Sequence, residues 1–232
     1  MKINITQKND SDSRRNFVYN CLYENIIQLI LPPGCALSEK EIGLQLNVSR
    51  TPVREAMIQL AKEDLVETVP QIGSYVSLIN PALVEESRFM RETLEIAVIK
   101  QAAEKINPLT LLELEKNLYM QKLMIENGDY KEFVKHDDAF HEIIFKSLGK
   151  ERTWHAIDQM NAQFKRVRIL RLASTETSRW EEVVEEHEDL FSALKNKDAV
   201  LAEKRMKEHL TKGIFHLDEL KAKHPDYFEA GL

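Results

Sequence analysis

Asp137, His141, His187 and His209 are the residues of this chain best suited to chemistry. In "KHDDAFHEII" (135–144), Asp137 and His141 stand four residues apart. On a helix that spacing stacks them on one face. Phe133, Phe140, Ile144 and Leu148 mark the apolar side of the same segment. At about 100° per residue, Asp137 and His141 fall inside that arc, while Asp138 and Glu142 point to solvent and His136 lies at the flank. His187 sits at the centre of a stripe made by Val183, Val184, Leu190, Phe191 and Leu194. His209 lies within another, Ala202, Met206, Leu210, Gly213 and Leu217. His155, His216 and His224 have no such placement. A single inward histidine is most often a core residue held by a hydrogen bond. An inward carboxylate is costly to bury without a partner and tends to neutralise. One divalent cation shared by all four groups would resolve this, and imidazole suits zinc, nickel, copper or iron. Periodicity gives each residue a helix face; whether the faces meet is a tertiary matter.

Such side chains need helices to hold them, and the composition supplies them. The chain has 232 residues, 43% hydrophobic and 30% charged, with only 7 Gly and 7 Pro. That is enough for one or two domains and favours a mainly α protein. No apolar run approaches the roughly 20 residues of a membrane span. The polar start "MKINITQKNDSDSRRN" lacks the apolar core of a signal peptide. Cys21 and Cys35 form no framework, so the expected location is the reducing cytoplasm. The net charge of -6 does not advertise nucleic-acid binding. It is spread almost evenly: residues 1–78 hold 8 Lys+Arg against 9 Asp+Glu, and the remainder 24 against 29. Any DNA contact must come from a local arrangement of basic groups.

The order of elements divides the chain. Residues 1–12 read as a flexible arm. A helix over 17–30 stops at "LPPG", a capping-box "SEKE" opens a second over 39–46, and a third runs over 50–63. The alternating "LVETVPQIGSYVSLI" (65–79) reads as two short strands with Gly73 at the turn. This is the order of a winged helix-turn-helix, assigned to 13–79. "NPA" marks a linker at 80–84. An all-α bundle is expected over 85–222, with helices at 83–106, 109–127, 130–148, 151–172, 178–195 and 198–221, and a tail at 223–232.

The third helix carries the second chemistry. In "VSRTPVREAMIQL" (48–60), Arg50 and Arg54 share a face, while Val53, Ala56, Met57 and Leu60 form the apolar stripe beside it. Ser49 or Thr51 can cap it, with Pro52 in the first turn. Free N–H groups and hydroxyls can hold phosphate, and arginine can take guanine O6 and N7. The alternative is a surface helix whose arginines pair with Glu55 or other acids. The stretch "LPPGCALSEKEIGLQLNVSRTPVREAMIQLAKEDLVETVPQIGSYV", with its "VSRTPVREA" core, resembles the N-terminal domain of GntR-family transcription regulators. The resemblance implies that Arg50 and Arg54 contact DNA, that Ser49 and Thr51 hold phosphate or the helix start, that Lys40 adds a basic contact, and that Gly73 is the wing turn. Ile72 departs from the pattern, standing where many members carry a basic residue.

The remainder resembles the FCD ligand-binding domain of the FadR subfamily. It carries "D-x-x-F-H" at Asp137, Phe140 and His141, then Glu186–His187 and His209–Leu210. In the metal-binding branch of that family the matching Asp and three His ligate a divalent metal, so the implied cofactor is zinc or nickel on Asp137, His141, His187 and His209. Arg91 falls in an inward arc with Leu83, Leu94 and Val98; it is equally a salt-bridge partner of Glu95 and a ligand clamp. Asn161, Arg168 and Arg171 lie near the arc of Ile157 and Phe164, whereas Arg166 points away. Arginines beside a metal favour a carboxylate ligand, though ordinary salt bridges between helices or protomers explain each one as well. The expectation is a homodimeric regulator, not an enzyme, binding operator DNA, a divalent metal and a small organic acid. The alternatives are a metal-dependent hydrolase using the Asp/His3 set, and a metal-free regulator responding to acyl-CoA.

Overall fold

The computed structural model describes residues 2–5, 13–173, 178–212 and 217–230. Most of the arm expected at 1–12, His216 and Gly213 therefore lie outside the described residues. Two compact units emerge: Met1–Val84 with Met160–Val167 and Asp218–Leu232, and Glu85–Gln159 with Arg168–Leu217.

The first unit is built on a winged helix. Ser13 caps α1 (Arg14–Ile27), its hydroxyl accepting from the Asn16 amide. One face of α1 buries Phe17, Val18, Cys21, Leu22 and Ile26. Strand β1 (Ala36–Leu37) precedes α2 (Glu39–Leu46), which Ser38 caps through the Glu41 amide. Asn47 ends α2 in the left-handed conformation, at φ 53. Gly43 makes the tight turn to α3 (Arg50–Lys62) possible: a Cβ there would lie 2.9 Å from the Val48 carbonyl oxygen. Beyond α3, β2 (Val66–Val69) and β3 (Gly73–Val76) form the antiparallel wing, and β1 adds to β3, giving the order β1-β3-β2. The two-residue β1 is too short for alternation to announce it. Pro70, Gln71 and Ile72 make the wing turn; Gly73 opens β3 rather than sitting at the tip.

Two later segments complete this unit. The Arg166 guanidinium is fully buried and donates to the Ser77 carbonyl at 2.7 Å and the Leu78 carbonyl at 3.2 Å. Gln163 donates to the Asp64 carbonyl at 2.7 Å. Near the C-terminus, Ile79 bridges Phe228 in parallel, with the Ile79 amide 2.8 Å from the Tyr227 oxygen. Residues read from sequence as a tail thus have a backbone partner.

The second unit is helical: α4 (Pro81–Lys105), α5 (Pro108–Glu126), α6 (Tyr130–Lys146), α7 (Glu151–Met160), α8 (Ala162–Ala173), α9 (Ser178–Lys195) and α10 (Ala199–Lys212), with α4 and α8 shared with the first unit. Helix α11 (Leu217–Lys223) belongs, from Asp218 on, to the first unit. The breaks carry their own caps: Asn107 before Pro108, Asp129 onto the Glu132 amide, and Asp198 onto the Leu201 amide. The single helix expected over 151–172 is two, interrupted at Asn161; of that expected over 198–221, residues 213–216 lie outside the described residues. The core includes Ile99, Leu114, Phe140, Ile144, Trp154, Leu190 and Met206.

Candidate functional site

Three helices bring His141, His187 and His209 together, with one ligating nitrogen of each lying within 4.8 Å of the others. All three are buried. Phe140 stacks on the His187 ring, with centroids 4.3 Å apart, and Trp154 lies parallel to His141 at 6.4 Å. The packing therefore fixes two of the ring planes.

Polar contacts to Nδ1 fix where the protons sit. His187 Nδ1 is hydrogen-bonded to Gln121 Oε1 at 2.9 Å and His209 Nδ1 to Glu186 Oε2 at 2.8 Å, while His141 Nδ1 faces Glu95 Oε2 at 2.6 Å as an ion-pair contact. A carboxylate only accepts, so His141 and His209 carry their protons on Nδ1. The Gln121 amide is oriented by a chain ending at a backbone carbonyl. Asn117 Nδ2 donates to the His136 oxygen at 3.0 Å, so Asn117 Oδ1 accepts from Gln121 Nε2 at 2.7 Å. Gln121 Oε1 is left as the acceptor for His187. In the neutral rings every Nε2 then carries a lone pair.

These lone pairs face one another. His141 Nε2 and His209 Nε2 are 3.3 Å apart, and His187 Nε2 is buried without a hydrogen-bond partner. Burial pushes the His187 pKa well below its ordinary value, reinforced by His209 and His141. Burial also lowers that of His209, although Glu186 opposes it. Neutral rings with converging lone pairs, each oriented through its other nitrogen, fit a divalent cation.

Asp137 borders this cluster. Its Oδ1 is 3.8 Å from His187 Nε2 and its Oδ2 is 3.9 Å from His141 Nε2. Arg168 pairs with Asp137 through Nη2 and with Asp138 through Nη1, the latter at 2.6 Å. Asp138 is therefore not the purely solvated group that periodicity places on the outer face, because Arg168 reaches both carboxylates. Burial disfavours the Arg168 charge, but Asp137 and Asp138 outweigh it and raise its pKa.

The other expected ligand-binding residues divide. Arg91 is buried and donates to Glu95 Oε1 at 2.5 Å, so Glu95 spans Arg91 and His141. Burial raises the Glu95 pKa, yet Arg91 and His141 hold it well below the usual carboxylate range. Arg171 donates to the Lys212 carbonyl at 3.3 Å. Asn161 belongs to the first unit, with neither side-chain polar atom hydrogen-bonded, and is not grouped with Arg91, Arg168 and Arg171. Sequence reading overlooked Gln121 altogether, since a glutamine on an amphipathic helix gives no signal, and it took Glu95 only as a partner for Arg91.

The residues expected from sequence to contact DNA lie on the first unit. Lys40, Ser49, Arg50, Thr51, Arg54 and Gly73 are all exposed. Ser49 is the N-cap residue of α3, but its hydroxyl makes no capping hydrogen bond. Arg54 forks onto Glu39, Nε to Oε1 at 2.9 Å and Nη2 to Oε2 at 3.1 Å; the acid is not Glu55. The wing tip carries the exposed Ile72.

Known proteins match both units. Residues 14–76 match the family model for bacterial regulatory proteins of the gntR family, and residues 86–212 match the FCD domain. The chain is 34% identical over 223 residues to the HTH-type transcriptional repressor RspR of Escherichia coli (strain K12), covering 96% of this chain and 97% of that one. It is also 34% identical over 224 residues to an HTH-type transcriptional regulator in an unstable DNA locus of Streptomyces ambofaciens, covering 97% and 93%. Among solved structures, E. coli McbR/YncC shares the fold with a TM-score of 0.78 at 23% identity, covering 92% of this chain and 99% of that one. These relatives are regulators, so the hydrolase alternative falls away. No helix among the described residues is long and apolar enough to cross a membrane. The chain belongs to the GntR family of DNA-binding transcription regulators, with an FCD domain following its helix-turn-helix.

Proposed function

We propose that this regulator is a cytoplasmic homodimer whose FCD domain holds one divalent metal and senses a small carboxylate. The observation that carries the metal is the convergence of three buried Nε2 atoms, each opposite an Nδ1 engaged by Glu95, Gln121 or Glu186. His141, His187 and His209 would hold the ion, with Asp137 as the fourth ligand; an imidazole-rich set suits zinc or nickel. The bound ion supplies a Lewis-acidic point to which an effector carboxylate can coordinate. Arg168 is the adjacent cation, and Arg91 and Arg171 are further contacts to test. Arg168 lies two residues from Arg166 on α8, which links the effector site covalently to the segment packed against Ser77 and Leu78. An effector changes DNA affinity only by the difference in its affinity for the two states.

On the DNA side, Arg50 and Arg54 contact the major groove, Ser49 and Thr51 hold phosphate, and Lys40 and Gly73 flank them. Two copies related by a twofold axis match a palindromic operator. Elemental analysis of gently purified protein tests the metal: about one divalent ion per chain is expected. Protein free of metal, which gains none on addition of zinc or nickel, defeats it in favour of a metal-free sensor. Calorimetry with citrate and malate tests the carboxylate: binding by wild type that Arg168→Ala loses supports it, and no heat with either acid on metal-loaded protein defeats it.

A further inference from the structure

We propose that Glu39 is a positioning residue for DNA reading, holding Arg54 side-on so that the arginine's far edge is free for a guanine. This rests on the reading of Arg54 as a base contact.

A guanidinium has five N–H donors. The fork onto Glu39 uses Nε–H and one Nη2–H. Both Nη1 hydrogens and the second Nη2 hydrogen remain; one Nη1–H and that Nη2–H form the end-on edge that meets guanine N7 and O6 as a bidentate pair. The Arg54 side chain is 68% exposed, so packing does not order it. Glu39 does, and it is itself well anchored: it stands at the first position of α2, whose N-terminus favours its charge, next to the capping Ser38. The hydrogen bond from Arg54 also holds the Glu39 carboxyl below its usual pKa. Arg50 has no such fork among the described residues. The two arginines thus differ: Arg54 arrives pre-oriented, whereas Arg50 must be ordered by the DNA. A carboxylate beside the groove weakens attraction to any phosphate backbone, which favours discrimination over bulk affinity.

The test uses the full chain. Wild-type protein first selects its sites from a random-sequence duplex library. Binding to the selected site and to its single-base-pair variants is then measured at fixed salt for wild type, Glu39→Gln, Glu39→Ala, Arg54→Ala and the double alanine variant. Both side chains lie at the surface, and circular dichroism confirms folding of each variant. Arg54→Ala is expected to lose discrimination at one base pair per half-site. Glu39→Ala should weaken discrimination at that same base pair about three- to tenfold, the scale of re-ordering one arginine side chain. Glu39→Gln should fall between, and the double variant should match Arg54→Ala there. Affinity for random-sequence DNA should hold or rise. Discrimination intact in Glu39→Ala but lost in Arg54→Ala overturns the proposal. So does a loss at a different base pair, which would mean that Glu39 reads a base itself. If Arg54→Ala retains full discrimination, the base-contact reading fails first, and that result is distinguishable from the other two.

Discussion

Two arginine–carboxylate contacts, Arg54–Glu39 on the surface and Arg168–Asp137/Asp138 in the FCD domain, use the same chemistry in opposite solvents. In the first, water screens the charges, so the pair contributes little to stability and its value lies in orientation. In the second, both partners are largely removed from water, and breaking the pair leaves an uncompensated charge inside. The histidine cluster extends the contrast. Its Nδ1 atoms face Glu95, Gln121 and Glu186, whereas on α3 Arg54 is held by Glu39 and Arg50 has no such fork among the described residues. If the histidine cluster holds the proposed ion, its rings are oriented before the ion arrives, whereas on the proposed DNA surface only Arg54 is oriented in advance.

Breaking the buried side should give the largest effects. His187→Ala is expected to take metal content from about one ion per chain to near zero, read by elemental analysis. Full occupancy in that variant would remove His187 from the ligand set. Gln121→Leu leaves the ligands intact but removes the acceptor on His187 Nδ1; metal affinity should fall about 10- to 100-fold, measured by chelator competition. An unchanged affinity would mean that the Asn117–Gln121 chain does not govern the ring.

The exposed side should respond more moderately and with a different signature. Arg54→Ala should reduce operator affinity by about five- to a hundredfold with strong base dependence. Lys40→Ala should weaken binding to all sequences alike and reduce the slope of affinity against salt by about one. A base-specific effect at Lys40 would erase the distinction drawn between them.

Acid sharpens the comparison further. His187 and His209 have lowered pKa values in the folded chain, so below their ordinary value near 6.5 the unfolded chain binds more protons than the folded one. Stability of the metal-free protein should therefore fall as pH drops from that value. The slope is at most about 1.4 kcal/mol per pH unit for each histidine. The depressed Glu95 adds a second loss below the ordinary carboxylate value of 4.5. Chemical denaturation across this range checks both, and a flat profile down to pH 5 would mean that the histidines are not held neutral.

Much of this was legible from local pattern. The capping residue Ser38 announced a helix start, because a cap acts within three residues of itself; the caps Asn107, Asp129 and Asp198 emerged with the structure. The inward placement of Asp137, His141, His187 and His209 followed from period alone, and all four are buried. The break at Asn161 did not show, since the apolar pattern continues on both sides of it. Strand β1 was too short to read, and the partners of Arg166, Ser77 and Leu78, lie almost 90 residues away.

By itself the sequence determined the family, the helical periods and which faces hide polar groups, since all of these depend on residues a few positions apart or on a contiguous motif. Only the tertiary structure decided that three histidines from α6, α9 and α10 share one point, that Gln121 on α5 orients one of them, and that Glu39 rather than Glu55 holds Arg54. Those outcomes depend on how helices pack against one another, and packing is set by the whole set of buried side chains rather than by any local run of them.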